Sequence, residues 1–113
     1  MKILRWIAVI GWMMVIFLVS SLPGSTIPPI FPLQDIAGHF IIYTILAILF
    51  ARALKISIPN VKASRLYFWI IVFGIFYGLT DEIHQYFVPG RCMDIKDVLI
   101  DGLGTVLGSI IYR

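Results

Sequence analysis

Three stretches of this chain carry polar residues at spacings that could do chemistry. Gly74, Gly78, Asp81 and Gln85 stand at offsets 0, 4, 7 and 11, and Asp97, Asp101, Gly104 and Gly108 repeat those offsets in reverse chemical order. Such offsets fall on one face of an α-helix. Asp35, His39 and Tyr43, at i, i+4 and i+8, also keep near one face. Carboxylates facing a histidine suit acid and base chemistry, proton transfer or the holding of a cation.

Two carboxylates sharing a low-dielectric site cannot both stay ionised without compensation, so Asp81 and Asp101 need a proton, a cation or a basic partner. His39, His84 and Arg91 are the candidates. A lone histidine in an apolar helix is ordinarily a packing residue, but the acid one turn above His39 favours a charged or proton-transferring role. By helical phase, Glu82 and His84 are expected to point away from the face of Asp81 and Gln85, which leaves the first or second helix as their neighbours.

Asp35, His39, Asp81, Glu82, His84, Asp97 and Asp101 include the right ligand types for a metal, although neither an HExxH nor an EF-hand spacing occurs. A bound metal therefore stays open as an alternative, and the cofactor is undetermined. GxSxG, P-loop and dinucleotide-binding patterns are absent. Ser20 and Ser21 read as a helix end rather than as nucleophiles, and covalent catalysis is not indicated.

The elements that must position these residues are membrane helices. Of 113 residues, 60% are hydrophobic and 13% charged, too apolar a balance for an ordinary soluble domain of this length. The net charge of +3 could by sign suggest nucleic acid or an acidic membrane surface. The positions of the charges favour the membrane, and no nucleic-acid partner is expected. An α-helix needs about 20 apolar residues to cross a hydrocarbon core of roughly 30 Å. Four segments approach this, about 3–22, 35–54, 66–87 and 95–112, giving an all-α polytopic fold with residues 1–113 as one membrane domain.

Ser20, Ser21, Pro23 and Gly24 close the first segment, Asp35 is a plausible cap for the second, and Tyr67, Phe68 and Trp69 form an interfacial aromatic group opening the third. Asp97 and Asp101 interrupt the start of the fourth. Lys2 and Arg5 before the run Trp6 to Val19 also resemble a signal peptide, but the run is long and Ser21 to Gly24 is a poor cleavage site. The segment is therefore read as a helix. Cys92, the single cysteine, can form neither an internal disulfide nor a multi-cysteine zinc site.

Lys2, Arg5, Arg52, Lys55, Lys62, Arg65 and Arg113 fall on one side of this arrangement, and only Arg91 and Lys96 on the other. Cytoplasmic flanks carry the basic excess, so both termini are expected in the cytoplasm. Asp35, Asp81, Glu82, Asp94, Asp97, Asp101 and both histidines then lie at the outer side. Solvated loops account for Asp94 and partly for Asp35. They do not account for Asp81 and Asp101, which sit several residues inside their helices, where a lipid-facing carboxylate is costly.

If the third and fourth helices are antiparallel neighbours, positions summing to 182 share a depth. Gly74 then meets Gly108, Gly78 meets Gly104, Asp81 meets Asp101 and Gln85 meets Asp97, a glycine seam below a polar cleft. The alternative is that either GxxxG pair builds a homo-oligomer.

The motifs resemble the VanZ-like family over nearly the full length. Those that carry the resemblance are Ser20, Ser21 and Pro23; Asp35, His39 and Tyr43; Tyr77, Gly78, Asp81, Glu82, Gln85, Phe87, Pro89, Gly90 and Arg91; and Asp94, Asp97, Asp101, Gly104 and Gly108. DExHQxFxPGR with DxxxDxxGxxxG is the distinctive combination. Asp101 stands where the family commonly has Asn, which makes this cluster more acidic. The resemblance implies a multi-pass protein of a bacterial plasma membrane, a cell-envelope role and an association with resistance to the glycopeptide teicoplanin.

Two mechanisms follow as expectations. In the first, the protein acts on an amphiphile of the outer leaflet, an anionic lipid or a lipid-linked wall precursor. Arg91 binds its phosphate or carboxylate, Asp81 and His39 serve as acid and base, and Asp97 and Asp101 position a cation or headgroup. Asp35, Tyr43, Glu82 and Gln85 complete the binding set. In the second, the cluster is a non-enzymatic binding or permeation site or a structural polar network.

Overall fold

The computed structural model of the chain describes residues 2–21, 34–89 and 95–112. Four helices follow in order: α1 (Lys2–Ser20), α2 (Gln34–Ser57), α3 (Ala63–Tyr86) and α4 (Ile95–Tyr112), with no strand among the described residues. The all-α expectation holds, with small shifts at the ends. α2 runs three residues beyond the expected Leu54, and α3 starts three residues before Leu66. Lys55, Ser64 and Arg65 thereby join helices that hydropathy alone would have cut short. Lys and Arg are good helix formers whose apolar stems reach along the membrane edge. At the far end of α3 the last turn tightens, with Phe87 N–H donating to His84 O at 3.1 Å and Val88 N–H to Gln85 O at 3.0 Å, and Pro89 follows.

α1, α3 and residues 36–57 of α2 are each long and apolar enough to cross a membrane. α4 has 18 residues and carries Lys96, Asp97 and Asp101 in its first half. The distribution of polarity is that of a protein dissolved in hydrocarbon. Ile3, Phe17, Phe68, Phe76 and Leu103 face outward, while Ser20, His39, Asp81, Glu82, Gln85, Asp97 and Asp101 are buried. A water-soluble bundle turns its apolar stripe inward. Here the lipid-facing surface is apolar and the costly polar groups are gathered inside.

Neighbours in sequence run antiparallel. Trp6 Nε1–H donates to Ser57 Oγ at 2.8 Å and Trp12 Nε1–H to Ile42 O at 2.9 Å, which sets α1 against α2. The Tyr77 hydroxyl donates to Met13 O at 2.7 Å, which lays α3 parallel to α1. A file of rings follows the bundle. Trp6 meets Phe50 edge-on at 5.8 Å, Phe50 stacks on Phe73 at 4.2 Å, and Phe73, Tyr77, Tyr43 and His39 continue it at centroid spacings of 6.3 to 6.5 Å. These spacings lie within the range of favourable aromatic contact, so the file stiffens the core up to the polar end.

The helix register differs from the expected one. Gly74 lies against the Thr105 side chain, and a Cβ on Gly78 would stand 2.8 Å from Asp101 Oδ2, so positions at one depth sum to 179 rather than 182. The slide amounts to about one helical turn, roughly 4.5 Å. Gly104 and Gly108 do not meet the α3 glycines. A Cβ on Gly104 would lie 2.6 Å from Phe40 O, and one on Gly108 2.6 Å from Thr44 O and from Ala47 Cβ. The α4 glycines therefore seat α2, and the α3 glycines seat the polar side chains of α4. α4 makes its broadest contact with α2. Both GxxxG pairs are occupied within one chain.

Candidate functional site

The site lies where the C-terminal ends of α1 and α3 meet the N-terminal halves of α2 and α4. His39 and Tyr43 come from the inward face of α2, as the i, i+4 spacing predicts, and both are buried. The Tyr43 ring lies nearly parallel to His39, 6.5 Å away. α4 brings Asp97 and Asp101, one turn apart, to either edge of the imidazole. His39 Nδ1 is 2.9 Å from Asp101 Oδ1, and Nε2 is 3.9 Å from Asp97 Oδ2. Within so dry a setting a His39–Asp101 hydrogen bond is strong, and it fixes the ring.

α3 supplies the remaining acids, Asp81 and Glu82, with Gln85 also buried on that helix. Asp81 and Asp101 are brought together despite the shifted register. One donor atom from each of His39, Asp81, Glu82 and Asp101 lies within 4.8 Å of the others. These four residues are 5%, 6%, 0% and 0% exposed. A charged residue at mid-membrane costs about 2.5 to 3.5 kcal/mol even on the most lenient scale. Nearer the bundle's end the cost is smaller, but three buried carboxylates without compensation still weigh against the roughly 5 to 15 kcal/mol that holds a domain folded. An arrangement of this cost implies that something cationic, a proton or an ion, belongs with it.

The expectation that Glu82 points away is overturned. Buried positions on α3 include Leu66, Ile70, Gly74, Gly78 and Glu82, a row at spacing four, beside Asp81 and Gln85. Because α3 is packed against α1, α2 and α4 together, its inward sector is wide enough to hold two consecutive residues. That spacing of four was visible in the sequence. His84 does turn to the first helix, where its ring stacks on Phe17 at 4.5 Å and its Nε2 is 2.8 Å from Ser21 Oγ. It does not join the four-residue cluster, so His39 is the compensating histidine.

Ser20 is the residue that reading by helix ends missed. Its hydroxyl is buried and donates to Asp81 Oδ1. The serine pair ahead of a proline was the available signal, although a helix terminus explains it equally well. Ser21 also donates to Phe17 O at 2.8 Å, an ordinary back-bond that ends α1. Asp35 is the second residue of α2, in a part where side chains are outside the described residues, and Arg91, with Cys92 and Asp94, falls wholly outside them.

The chain is 27% identical over 103 residues to an uncharacterised protein of Schizosaccharomyces pombe, an alignment that takes in 91% of this chain and 61% of that protein. It thus spans about three-fifths of the relative's length. No solved structure matches. The profile of the VanZ/LLP1 family matches residues 5–113, which takes in the serine pair, the buried His39, the α3 acids and the α4 motif alike. The chain belongs to the VanZ/LLP1 family.

Proposed function

We propose that this protein is a cell-envelope membrane protein that engages an amphiphile, an anionic lipid or a lipid-linked wall precursor, at the polar end of its bundle. The observation that carries the reading is the convergence of His39, Asp81, Glu82 and Asp101 from three helices, all buried and within reach of one another. Buried ionisable groups gathered in one place within a membrane bundle point to a working site by default. His39, held between Asp97 and Asp101, is the group suited to pass a proton, with Asp81 as its acidic counterpart. Arg91, in the loop after α3, supplies the positive charge for a phosphate or carboxylate. With the basic flanks in the cytoplasm, the site faces the outer leaflet, where lipid-linked wall precursors and glycopeptides meet. That compartment connects the reading to the family's link with teicoplanin resistance.

A second reading has one observation in its favour. The cluster residues are nearly closed off, which suits a polar network or a binding site better than an open catalytic cleft. The test compares envelope lipids and lipid-linked precursors from cells with the wild-type protein, with Asp81→Asn or His39→Ala, and without the protein. A changed profile that both variants abolish while still accumulating in the membrane is the expected result. An unchanged profile with intact glycopeptide tolerance would sink the amphiphile reading.

A further inference from the structure

We infer that His39, Asp81, Glu82 and Asp101 form a binding site for one divalent transition-metal ion, of the Zn2+ or Mn2+ class. This inference rests on reading the cluster as a ligand site, and on no particular substrate.

The donor set is one imidazole and three carboxylates, with one atom of each inside a 4.8 Å span. Four ligands at the 2.0 to 2.2 Å typical of Zn–N and Zn–O bonds stand about 3.4 Å apart, so the cluster needs only a small contraction to close. A purely oxygen set would favour Mg2+, Ca2+ or Mn2+; the imidazole moves the preference toward Zn2+, and the three carboxylates keep Mn2+ within the class.

Geometry beyond the four donors points the same way. Asp101 is fully buried, and while its Oδ1 is held by His39, its Oδ2 has no hydrogen-bond partner. The Tyr43 hydroxyl, on a fully buried ring next to His39, is likewise without a partner. Buried polar atoms are almost always satisfied, and two unsatisfied ones at the edge of a donor cluster mark where a ligand belongs. Behind the donors stand groups of the kind that orient metal ligands. Ser20 donates to Asp81 Oδ1, and Asp97 lies on the Nε2 side of His39 while Nδ1 faces Asp101. A carboxylate behind a ligating histidine and a hydroxyl behind a ligating carboxylate are the usual outer partners of such sites. A cation between Nδ1 and Asp101 would take the place of the proton those atoms share. It also lowers the formal charge of three ionised carboxylates and a neutral imidazole from −3 to −1. A single protonated histidine could only bring it to −2.

The full-length protein, purified in detergent and stripped with EDTA, is titrated with Zn2+ or Mn2+ alone under equilibrium dialysis, and loaded separately with Co2+ for visible absorption. One ion per chain is expected, with affinity reduced at least tenfold by Glu82→Gln and by Asp101→Asn and retained by His84→Ala. Co2+ bound to the wild type should show the bands of low-coordinate nitrogen and oxygen ligation, a readout that stands even if a variant fails to fold. Absence of stoichiometric Zn2+ or Mn2+ uptake by the wild type, an aqua-ion Co2+ spectrum, or uptake undiminished in both folded carboxylate variants overturns the inference. Because the readout is the ion itself, binding in a protein that leaves cell lipids unchanged upholds this site and removes the amphiphile reading, and lipid changes without ion binding do the reverse.

Discussion

Ser20 and Ser21 are adjacent residues whose hydroxyls have different surroundings. The Ser20 hydroxyl is buried and donates to Asp81, whereas that of Ser21 sits at the half-buried edge, shared between Phe17 O and His84. A hydrogen bond to a charged group contributes about 1.5 to 3 kcal/mol, and removing one partner of a buried pair strands the other. Ser20→Ala is therefore expected to lower stability in detergent by about that much, and Ser21→Ala by less than about 1 kcal/mol. Thermal unfolding of the two variants side by side decides it, and a larger loss for Ser21→Ala would reverse the assignment. His39 presents the same contrast in another form. Its i, i+4 relation to Tyr43 was readable, but Asp101 and Asp97, which flank its ring, come from a helix about sixty residues away in the chain.

The glycines distinguish the helices from one another. Gly104 and Gly108 press α4 onto the α2 backbone, where Phe40 O and Thr44 O cannot move aside. Thr44 Oγ1 sits in the same seam, 2.7 Å from Phe40 O and 3.1 Å from Gly104 O. Overpacking a tight contact costs about 1 to 3 kcal/mol, and a backbone obstacle places these sites at the upper end. Gly104→Ala and Gly108→Ala should thus reduce membrane accumulation and thermal stability sharply. Gly11 and Gly38 have nothing within 4 Å of an added Cβ. Alanine there should be neutral or stabilising by up to about 1 kcal/mol, since it is the better helix former. Equal effects at all four positions would show that the α2–α4 seam is not the close one. The GxxxG spacings announced close contact, but each motif could serve any neighbour, and the choice of α2 for the α4 pair depends on which helix the folded bundle places there.

The molecule is a bundle 46 Å long and about 24 Å across, with apolar residues outward and the described acids, Asp81, Glu82, Asp97 and Asp101, collected at one end. The opposite end carries the connection between α2 and α3, where Lys62, Arg65 and Trp69 border a recess of about 370 Å³. Basic and aromatic side chains of this kind settle at the membrane interface, and on the proposed orientation that end faces the cytoplasm. Cys92, the native cysteine after α3, is then expected on the outer side. A membrane-impermeant maleimide added to intact cells should label it. In a Cys92→Ser background, Ser57→Cys should react only after lysis. The opposite pattern would place the termini, and not the acids, outside.

Composition, run length and charge position alone determined that this chain is helical, that the bilayer is its solvent, and that its acids gather at one end. Each of these follows from transfer costs that act on every segment by itself. The helical phase of His39, Tyr43, Asp81 and Asp101 was also determined locally, because 3.6 residues per turn leaves little freedom. The tertiary structure decided the rest. It slid α4 by about one turn against α3, turned its glycines to α2, and drew Glu82 and Ser20 into the cluster that the sequence had centred on Asp81, Asp101, Gln85 and Asp97. Those outcomes depend on how four helix surfaces interlock at once, with backbone carbonyls filling the grooves that glycines leave. A helix read singly has a face but no neighbour, and the neighbour is what makes a buried acid part of a site.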